Sequence, residues 1–294
     1  ALEERALAED GTARELIAAG VEDLLRLLER ADESGLRPWS EAVNGAMEEL
    51  LTSLEAQEAM ERGEEPAVRT MRLNFQHCPK LNEATGGFRR QEVVLLAGMT
   101  GHGKSTLFEQ LWIQADDDGW LGQLYEAEMS KEACATRVLG HRAQVPLWKL
   151  RRMERVAEKT ILKQVLVSAA GEEMQRKVRV MDRGITPEKI WSLARLQKKT
   201  AGLDVVGIDY DMLVIREGMR QRRLSESEWG EQAEFMNQAL ECAKELDLCF
   251  VLLCQPRKVA DELARGQRGP RLGEIYGSSS VENTAHVVMW IVRH

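Results

Sequence analysis

The amino-acid sequence predicts an α/β domain built on a mainly parallel sheet with helices on both faces. From about residue 85, short apolar runs rich in Val, Ile and Leu alternate with helical patterns. Strands that are nearly continuous in apolar residues are typical of a sheet buried on both faces. A glycine-rich segment follows the first run directly. The predicted strands are 93–97, 122–125, 178–181, 205–209, 250–254 and 287–292.

One helix between these strands has clear signals at both ends. Thr186 can cap the helix because its hydroxyl can accept a hydrogen bond from a free backbone N–H of the first turn. Pro187 suits the first helical position, where no backbone donor is needed. Gly202 predicts the end of the helix just before the strand at 205–209.

Residues 1–70 contain no convincing strand, and they predict a small helical region. Two segments carry apolar residues at helical spacing, one at 16–28 and one at 43–54, with a break at 35–38. Such short helices bury little by themselves, so we expect their apolar stripes to pack on another domain or subunit. A polar linker is predicted at 62–66. The predicted domains are 1–70, a linker or docking region, and 71–294.

Composition restricts the class of protein. The 294 residues suffice for one large α/β domain and a smaller helical part. No apolar run approaches the roughly 20 residues of a membrane span, and the acidic start does not resemble a signal peptide. The net charge of −8 gives no global attraction for nucleic acid, so such a site requires local basic segments. We expect the five cysteines to be reduced thiols, mainly in the core.

The segment GMTGHGKST predicts a phosphate-binding loop. It matches G-x-x-x-x-G-K-[ST], with a predicted strand before it and a helix after it. The glycines allow successive N–H groups to point at phosphate oxygens, and the helix N-terminus adds a positive dipole. Lys104 would bridge the β- and γ-phosphates of ATP, and Ser105 would bind Mg²⁺. The predicted nucleotide-binding residues are Gly98, Met99, Thr100, Gly101, His102, Gly103, Lys104, Ser105 and Thr106.

Acidic and amide side chains follow three further strands. Asp209 ends the strand at 205–209 and is predicted to hold the magnesium through water. Glu126 and Glu128 follow another strand, and two carboxylates at i and i+2 on an extended chain point the same way. Either could therefore activate the attacking water. Gln255 follows the strand at 250–254 and could contact the γ-phosphate or simply cap the strand.

These segments, in this order, resemble the RecA-like motor domain of DnaB-type replicative hexameric helicases. The segments that carry the resemblance are LNEATGGFRRQEVVLLAG, YEAEMSKEACATRVL, GIDYDMLVI, LLCQPRK and GEIYGSSSVENTAHVVMWIVRH. The resemblance covers about residues 80–294 and extends weakly into 35–65, which resembles that family's linker helix. It implies a RecA-like P-loop NTPase core, with Glu128 as the catalytic base, Gln255 at the γ-phosphate and Asp209 at the magnesium.

The resemblance also implies loops that hold the backbone of single-stranded DNA. The candidate loops at 216–223 and 257–271 are basic despite the acidic total, and phosphate-tracking contacts need no base recognition. The segment at 277–280 matches the family's last channel loop, where small residues let backbone amides approach a phosphate. The predicted DNA-binding residues are Arg220, Arg222, Arg223, Arg257, Lys258, Gly277, Ser278 and Ser279.

The sequence departs from the family pattern at two places. Tyr276 stands where the bacterial enzymes usually carry an arginine, which favours phage- or organelle-type relatives. The family's arginine finger, donated across the subunit boundary, lies beyond the last strand, so we expect either that the C-terminus is trimmed or that the chain cannot complete the active site of its neighbour. The resemblance also implies that the family's primase-binding domain, which precedes the linker, lies outside this sequence.

The function predicted from the residues and the resemblance is an ATP-dependent DNA helicase motor, acting as a hexameric ring on single-stranded DNA. Its implied partners are a primase and a helicase loader, and the implied location is a bacterial or phage-infected cytoplasm or an organelle matrix. Two alternatives stay open. One is a RecA-like recombinase that forms filaments on DNA, and the other is a regulatory ATPase that does not translocate.

Overall fold

The computed structural model describes residues 39–66, 68, 71–75, 78–151, 159–222, 227–256, 270–276 and 279–292. Contacts within the chain separate two compact units, Ala1–Thr70 and Met71–His294. Within the described ranges, no helix is long and apolar enough to cross a membrane.

The described part of the first unit is mainly one helix, α1 (Trp39–Glu61). This helix confirms the one predicted from the apolar spacing at 43–54. Its apolar stripe is exposed, with half or more of Met47, Leu50 and Leu54 accessible to solvent. The prediction that this stripe docks on a neighbouring subunit stays a prediction. The other predicted helix, at 16–28, and the break at 35–38 lie outside the described residues.

The second unit contains a six-stranded sheet in the order β3-β2-β4-β5-β1-β6. Every neighbouring pair runs parallel, which confirms the predicted sheet. All six predicted strands are present with bounds that differ by one residue at most. They are β1 (Val93–Gly98), β2 (Gly122–Glu126), β3 (Arg179–Met181), β4 (Val205–Asp209), β5 (Cys249–Cys254) and β6 (Val287–Ile291).

Helices connect these strands, and the one with the clearest sequence signals has the expected caps. The Thr186 hydroxyl accepts from Lys189 N, and Gly202 adopts a left-handed φ of 76°. The described helices of the second unit are α2 (Pro79–Thr85), α3 (Lys104–Asp117), α4 (Lys131–Arg142), α5 (Leu147–Arg151), α6 (Lys159–Glu173), α7 (Pro187–Ala201), α8 (Asp211–Arg222), α9 (Glu228–Leu246) and α10 (Ser279–Thr284).

Alternate strand residues enter two separate cores, one on each face of the sheet. Leu95 packs with residues of α7, α8 and α9, whereas its neighbour Leu96 packs with residues of α3 and α4. This arrangement explains the nearly continuous apolar strands, since both faces are covered. The five cysteines are free, and all but the half-buried Cys78 are buried, as expected for core thiols.

The segment after β4 differs from its prediction. The sequence predicts a basic loop at residues 216–223, but the chain from Asp211 to Arg222 is helical. Met212, Ile215 and Gly218 are buried on one side of this helix. The charged residues conceal an apolar stripe at helical spacing, and packing of that stripe against the core decides the conformation.

The helix α3 lies very close to β4, and Gly207 makes this approach possible. A Cβ atom at Gly207 would overlap the indole of Trp112 and lie 2.6 Å from Cζ of Phe108. Both aromatic residues belong to α3, and both are buried. The absence of a side chain at Gly207 therefore sets the distance between the strand that ends at Asp209 and the helix that begins at Lys104.

We predict that Gly207→Ala lowers the free energy of unfolding by about 1–3 kcal/mol, because an added methyl group overpacks a filled core. Urea unfolding measures this change as a lower midpoint at constant slope. Gly230→Ala is the matched control, since Gly230 lies in α9 and a Cβ there meets no described atom within 4 Å. The control should gain up to about 1 kcal/mol from helix propensity. Equal midpoints for Gly207→Ala and wild type would contradict the role of this contact.

Candidate functional site

The glycine-rich loop joins β1 to α3 at the carboxyl edge of the sheet. Gly101 and Gly103 adopt positive φ angles of 82° and 97°, which favour glycine. The Lys104 ammonium folds back over the loop and donates to Gly98 O at 2.6 Å and to Met99 O at 3.3 Å. The loop therefore surrounds a cation next to the N-terminus of a helix, which is an arrangement suited to phosphate.

Ser105, the second residue of α3, contacts the end of β4 directly. Its hydroxyl donates to Asp209 Oδ2 at 2.8 Å. Burial raises the pKa of the Asp209 carboxyl to about 6, whereas the Ser105 hydrogen bond and the Lys104 charge oppose this shift. Burial also lowers the pKa of Lys104, and the negative charges of Asp209 and Glu128 counteract that effect. The hydroxyl, the carboxylate and the ammonium thus form one electrostatic unit.

The two glutamates after β2 occupy different environments. Glu126 ends the strand, is 1% exposed, and accepts through Oε1 from Glu128 N at 3.1 Å and Met129 N at 3.0 Å. Burial and the neighbouring Asp209 raise its pKa to about 8. The chain bends after Glu126, so the alternation of an extended strand does not continue. The expectation that both carboxylates point the same way is therefore wrong, because Glu126 closes the bend.

A cavity of about 610 Å³ lies over this edge of the sheet. Lys104, Ser105, Glu128 and Gln255 line it together with Thr100, Gly101, Gly103 and Thr106. Gly98, Met99 and His102 belong to the loop but do not line the cavity, and Asp209 reaches it through the Ser105 hydroxyl. The structure therefore brings Glu128, Gln255 and the phosphate loop to one cavity.

Arg137 also lines this cavity, and it was not predicted from the sequence. Its guanidinium lies 3.2 Å from Glu109 Oε1 of α3 and donates to the sulfur of Met129 at 2.8 Å. Burial raises the pKa of Glu109 to about 7, and the charge of Arg137 opposes this shift. A sequence signal exists, since Arg137 lies two turns into the helix that follows Glu128. Its pairing with the buried Glu109 is not apparent from the sequence.

A second unpredicted set of cavity residues lies between α4 and α5. The set contains a histidine, a glutamine and four small or apolar residues, which is a surface able to accommodate a planar group beside the phosphate loop. No sequence motif marks it. Its members are Gly140, His141, Gln144, Val145, Pro146 and Leu147.

Residues 75–294 match the family model of the DnaB-like helicase C-terminal domain. This match covers most of the chain. The chain belongs to the DnaB-like helicase family. The curated relative "Replicative DNA helicase DnaB" of Buchnera aphidicola subsp. Acyrthosiphon pisum is 26% identical over 220 residues, 72% of this chain. The chain spans 45% of the length of that relative.

Solved structures show the same fold. One of them, described as an ATPase domain, superposes with a TM-score of 0.68 at 22% identity, covering 84% of this chain and 82% of that one. A DnaB-like replicative helicase, described with its interactions with primase, gives a TM-score of 0.65 at 20% identity, covering 93% and 65%. The predicted RecA-like fold and the resemblance to DnaB-type helicases are both confirmed.

In this DnaB-like domain, the described arginines of the predicted DNA-binding segment pair with glutamates on the surface. Arg220 binds Glu217 in a bidentate manner, at 2.9 and 2.8 Å. Arg222 lies 3.4 Å from Glu188 and also pairs with Glu231. Exposed pairs such as Arg222 with Glu188 contribute little stability, whereas the Glu231 side chain is only 11% exposed. Their role on DNA stays a prediction.

The other predicted DNA-binding positions have no described side chains. Arg223, Arg257, Lys258, Gly277 and Ser278 lie outside the described residues, and Ser279 is described only as the first residue of α10. Tyr276, directly before Gly277, is half-buried and fully described.

We predict that Asp209→Asn changes the pH dependence of unfolding. The pKa of Asp209 in the folded protein, about 6, lies above its ordinary value of 3.8. The native state therefore binds this proton more tightly than the unfolded chain, and the carboxyl loses stability as pH rises from about 4 to about 6. Relative to wild type, the asparagine variant should gain unfolding free energy over this range, by at most about 3 kcal/mol at 1.36 kcal/mol per pKa unit.

Urea unfolding at several pH values, with EDTA present to exclude cations, measures this difference. Asp182→Asn is the control of opposite sign, because a backbone hydrogen bond from Lys131 lowers the pKa of this exposed carboxyl. The stability that this carboxyl contributes is lost as pH falls. A pH-independent difference between Asp209→Asn and wild type would exclude a raised pKa at Asp209.

Proposed function

We propose that this domain is the ATP-hydrolysing motor of a replicative DNA helicase that translocates on single-stranded DNA as a ring. The observation that carries the proposal is the convergence of Lys104, Ser105, Glu128 and Gln255 on one cavity in a DnaB-like domain. A phosphate loop alone would support any nucleotide-binding protein. A carboxylate and an amide from two further strand ends support hydrolysis coupled to movement.

The oxygen ligands of Mg²⁺ would be the Ser105 hydroxyl and, through water, the Asp209 carboxylate. These two groups lie 2.8 Å apart, and hard oxygen donors suit this cation. Among the described residues, no cluster of three or more acidic, histidine or cysteine side chains could hold a metal alone. This fits Mg²⁺, which usually binds one or two carboxylates together with substrate phosphates. The ion would neutralise charge that develops on the phosphate oxygens.

Each of these cavity residues would have a separate role in hydrolysis. Lys104 leaves the carbonyls of Gly98 and Met99 to bind the β- and γ-phosphates. Glu128 accepts a proton from a water whose oxygen attacks the γ-phosphorus, and the bond from that phosphorus to the bridging oxygen breaks to give ADP and phosphate. Gln255 contacts the γ-phosphate and loses this contact after cleavage. Arg137 adds a second cation that faces the same phosphates.

Several further assignments belong to the proposal. The proposed DNA-binding residues are the eight predicted above, and they would act from a ring of six copies. They are Arg220, Arg222, Arg223, Arg257, Lys258, Gly277, Ser278 and Ser279. A primase is a proposed partner because one similar structure is described with its interactions with primase. A helicase loader as a further partner, and a location in a bacterial or phage-infected cytoplasm or an organelle matrix, are also part of the proposal.

We predict opposite results for the two glutamates after β2. Glu128→Gln should lower ATP turnover by about 10²–10⁴-fold, because a general base contributes this much, and should leave nucleotide affinity nearly unchanged. Glu126→Gln should retain turnover, since an amide oxygen can still accept from Glu128 N and Met129 N. Steady-state phosphate release and equilibrium nucleotide binding measure both effects. Turnover that survives Glu128→Gln and is abolished by Glu126→Gln would assign the base to Glu126.

The proposed function is tested by ATP hydrolysis with and without single-stranded DNA, together with fork unwinding and native mass. We expect DNA to stimulate hydrolysis and a hexamer to unwind the fork, with Lys104→Ala as the inactive control. Stimulation with filaments and no unwinding would instead support a recombinase. Hydrolysis that ignores DNA would support a regulatory ATPase and overturn the proposal.

A further inference from the structure

A buried polar network joins the ends of β4 and β5 to Tyr276. Asp211, two residues after Asp209, is fully buried, as is Gln232 of α9. The Gln232 Nε2 group donates to Asp211 Oδ2 at 2.8 Å and to the backbone oxygen of Tyr276 at 3.0 Å. Burying a polar group costs free energy unless the group is hydrogen-bonded. The pairing of Asp211 with Gln232 therefore offsets a cost that an apolar core would not have.

The chemistry of the bonds fixes the orientation of the Gln232 amide. Its nitrogen lies between two acceptors, a carboxylate and a carbonyl, and its oxygen accepts no hydrogen bond within the described residues. The other carboxylate oxygen, Asp211 Oδ1, accepts from Met212 N at 2.8 Å. A flipped amide would place oxygen against two acceptors. Gln232 therefore acts as a double donor, and both of its N–H groups are used.

Both peptide groups that flank Tyr276 are held by the strand ends of the proposed nucleotide site. Tyr276 N donates to the backbone oxygen of Gln255 at 2.9 Å, so the peptide before Tyr276 follows β5. Tyr276 O accepts from Gln232, so the peptide after Tyr276 follows Asp211 and thereby β4. The backbone nitrogen and oxygen of Tyr276 are consequently connected to two different strand ends.

A hydrogen bond near the surface also holds the side chain of Tyr276. The Tyr276 hydroxyl donates to Glu228 Oε2 at 3.3 Å, and Glu228 forms a bidentate pair with Arg216 at 2.9 and 3.0 Å. Glu228 begins α9 and Arg216 lies in α8, the helix that follows Asp209. The side chain and the backbone of Tyr276 are thus both connected to the chain that leaves β4.

We propose that Gln232 is a positioning residue that couples the nucleotide site to single-stranded DNA by fixing the Tyr276 carbonyl relative to Asp211. The proposal rests on the proposed function, in which Gln255 contacts the γ-phosphate and the residues after Tyr276 contact DNA. A shift of Gln255 moves Tyr276 N directly. Gln232 keeps Tyr276 O fixed relative to Asp211, so the shift turns Tyr276 about its carbonyl instead of displacing the whole residue.

The coupling is measured as the ratio of dissociation constants for fluorescein-labelled oligo-dT without and with a non-hydrolysable ATP analogue and Mg²⁺. Couplings between sites are typically about 5–150-fold, and we expect the wild type in this range. Gln232→Met removes both hydrogen bonds at similar length. Its ratio should fall to within about twofold of one, while its affinity for the analogue stays within about threefold of wild type, since Gln232 does not touch the cavity.

Gln238→Met is the matched control. Gln238 lies on the same helix, and it accepts from Trp191 Nε1 at 2.7 Å and donates to Glu234. The same substitution there removes hydrogen bonds without touching Tyr276, so the wild-type ratio should be retained. Tyr276→Phe removes only the hydrogen bond from the Tyr276 hydroxyl to Glu228 and should lower the ratio by a smaller factor. A wild-type ratio in Gln232→Met would overturn the proposal.

Hydrogen exchange at the Tyr276 amide separates this proposal from the proposed function. The analogue should slow this exchange in the wild type and also in Gln232→Met, whose bond from Tyr276 N to Gln255 O is intact, whether or not the protein binds DNA. A wild type that binds the analogue but not oligo-dT would contradict the DNA motor. An amide exchange rate that ignores the analogue in the wild type would contradict the network. If Gln232→Met fails to fold, Tyr276→Phe and the wild-type exchange still decide between these outcomes.

Discussion

The parallel pairing of all six strands is the constraint on which the rest of this domain depends. Parallel strands end at the same edge, so Gly98, Glu126, Asp209 and Cys254 are neighbours although they are distant in sequence. Each of these ends delivers a different group: the glycine-rich loop, a bend that exposes Glu128, the Asp209 carboxyl group and Gln255. The arrangement follows the general rule that open α/β sheets bind ligands at the carboxyl ends of their strands.

Burial at this edge disfavours the ionised form of the carboxyl groups, and a bound cation can favour it. Glu109, Glu126 and Asp209 all have pKa values raised mainly by burial, to about 7, 8 and 6. The charges of Lys104 and Arg137 oppose these shifts at Asp209 and Glu109. A divalent cation beside Asp209 would favour its ionised form.

Packing between the sheet and the helices on its two faces connects this edge to more distant residues. On one face, Gly207 lets α3 approach β4, which keeps Ser105 within reach of Asp209. On the other face, Asp211 and Gln232 connect the same strand to Tyr276. The strand that ends in Asp209 is thus fixed on both sides, once by aromatic packing and once by buried hydrogen bonds.

The sequence by itself determined the strands, the phosphate loop and the helix from Thr186 to Gly202, because these depend on local patterns of apolar residues, glycine and caps. The tertiary structure decided which glutamate faces the cavity, since the bend after Glu126 ends the strand alternation. It also decided that the basic segment after β4 is helical and that Arg137 reaches the site, because both depend on contacts between distant residues. Local patterns specify elements, whereas burial and partners across the sheet assign their side chains.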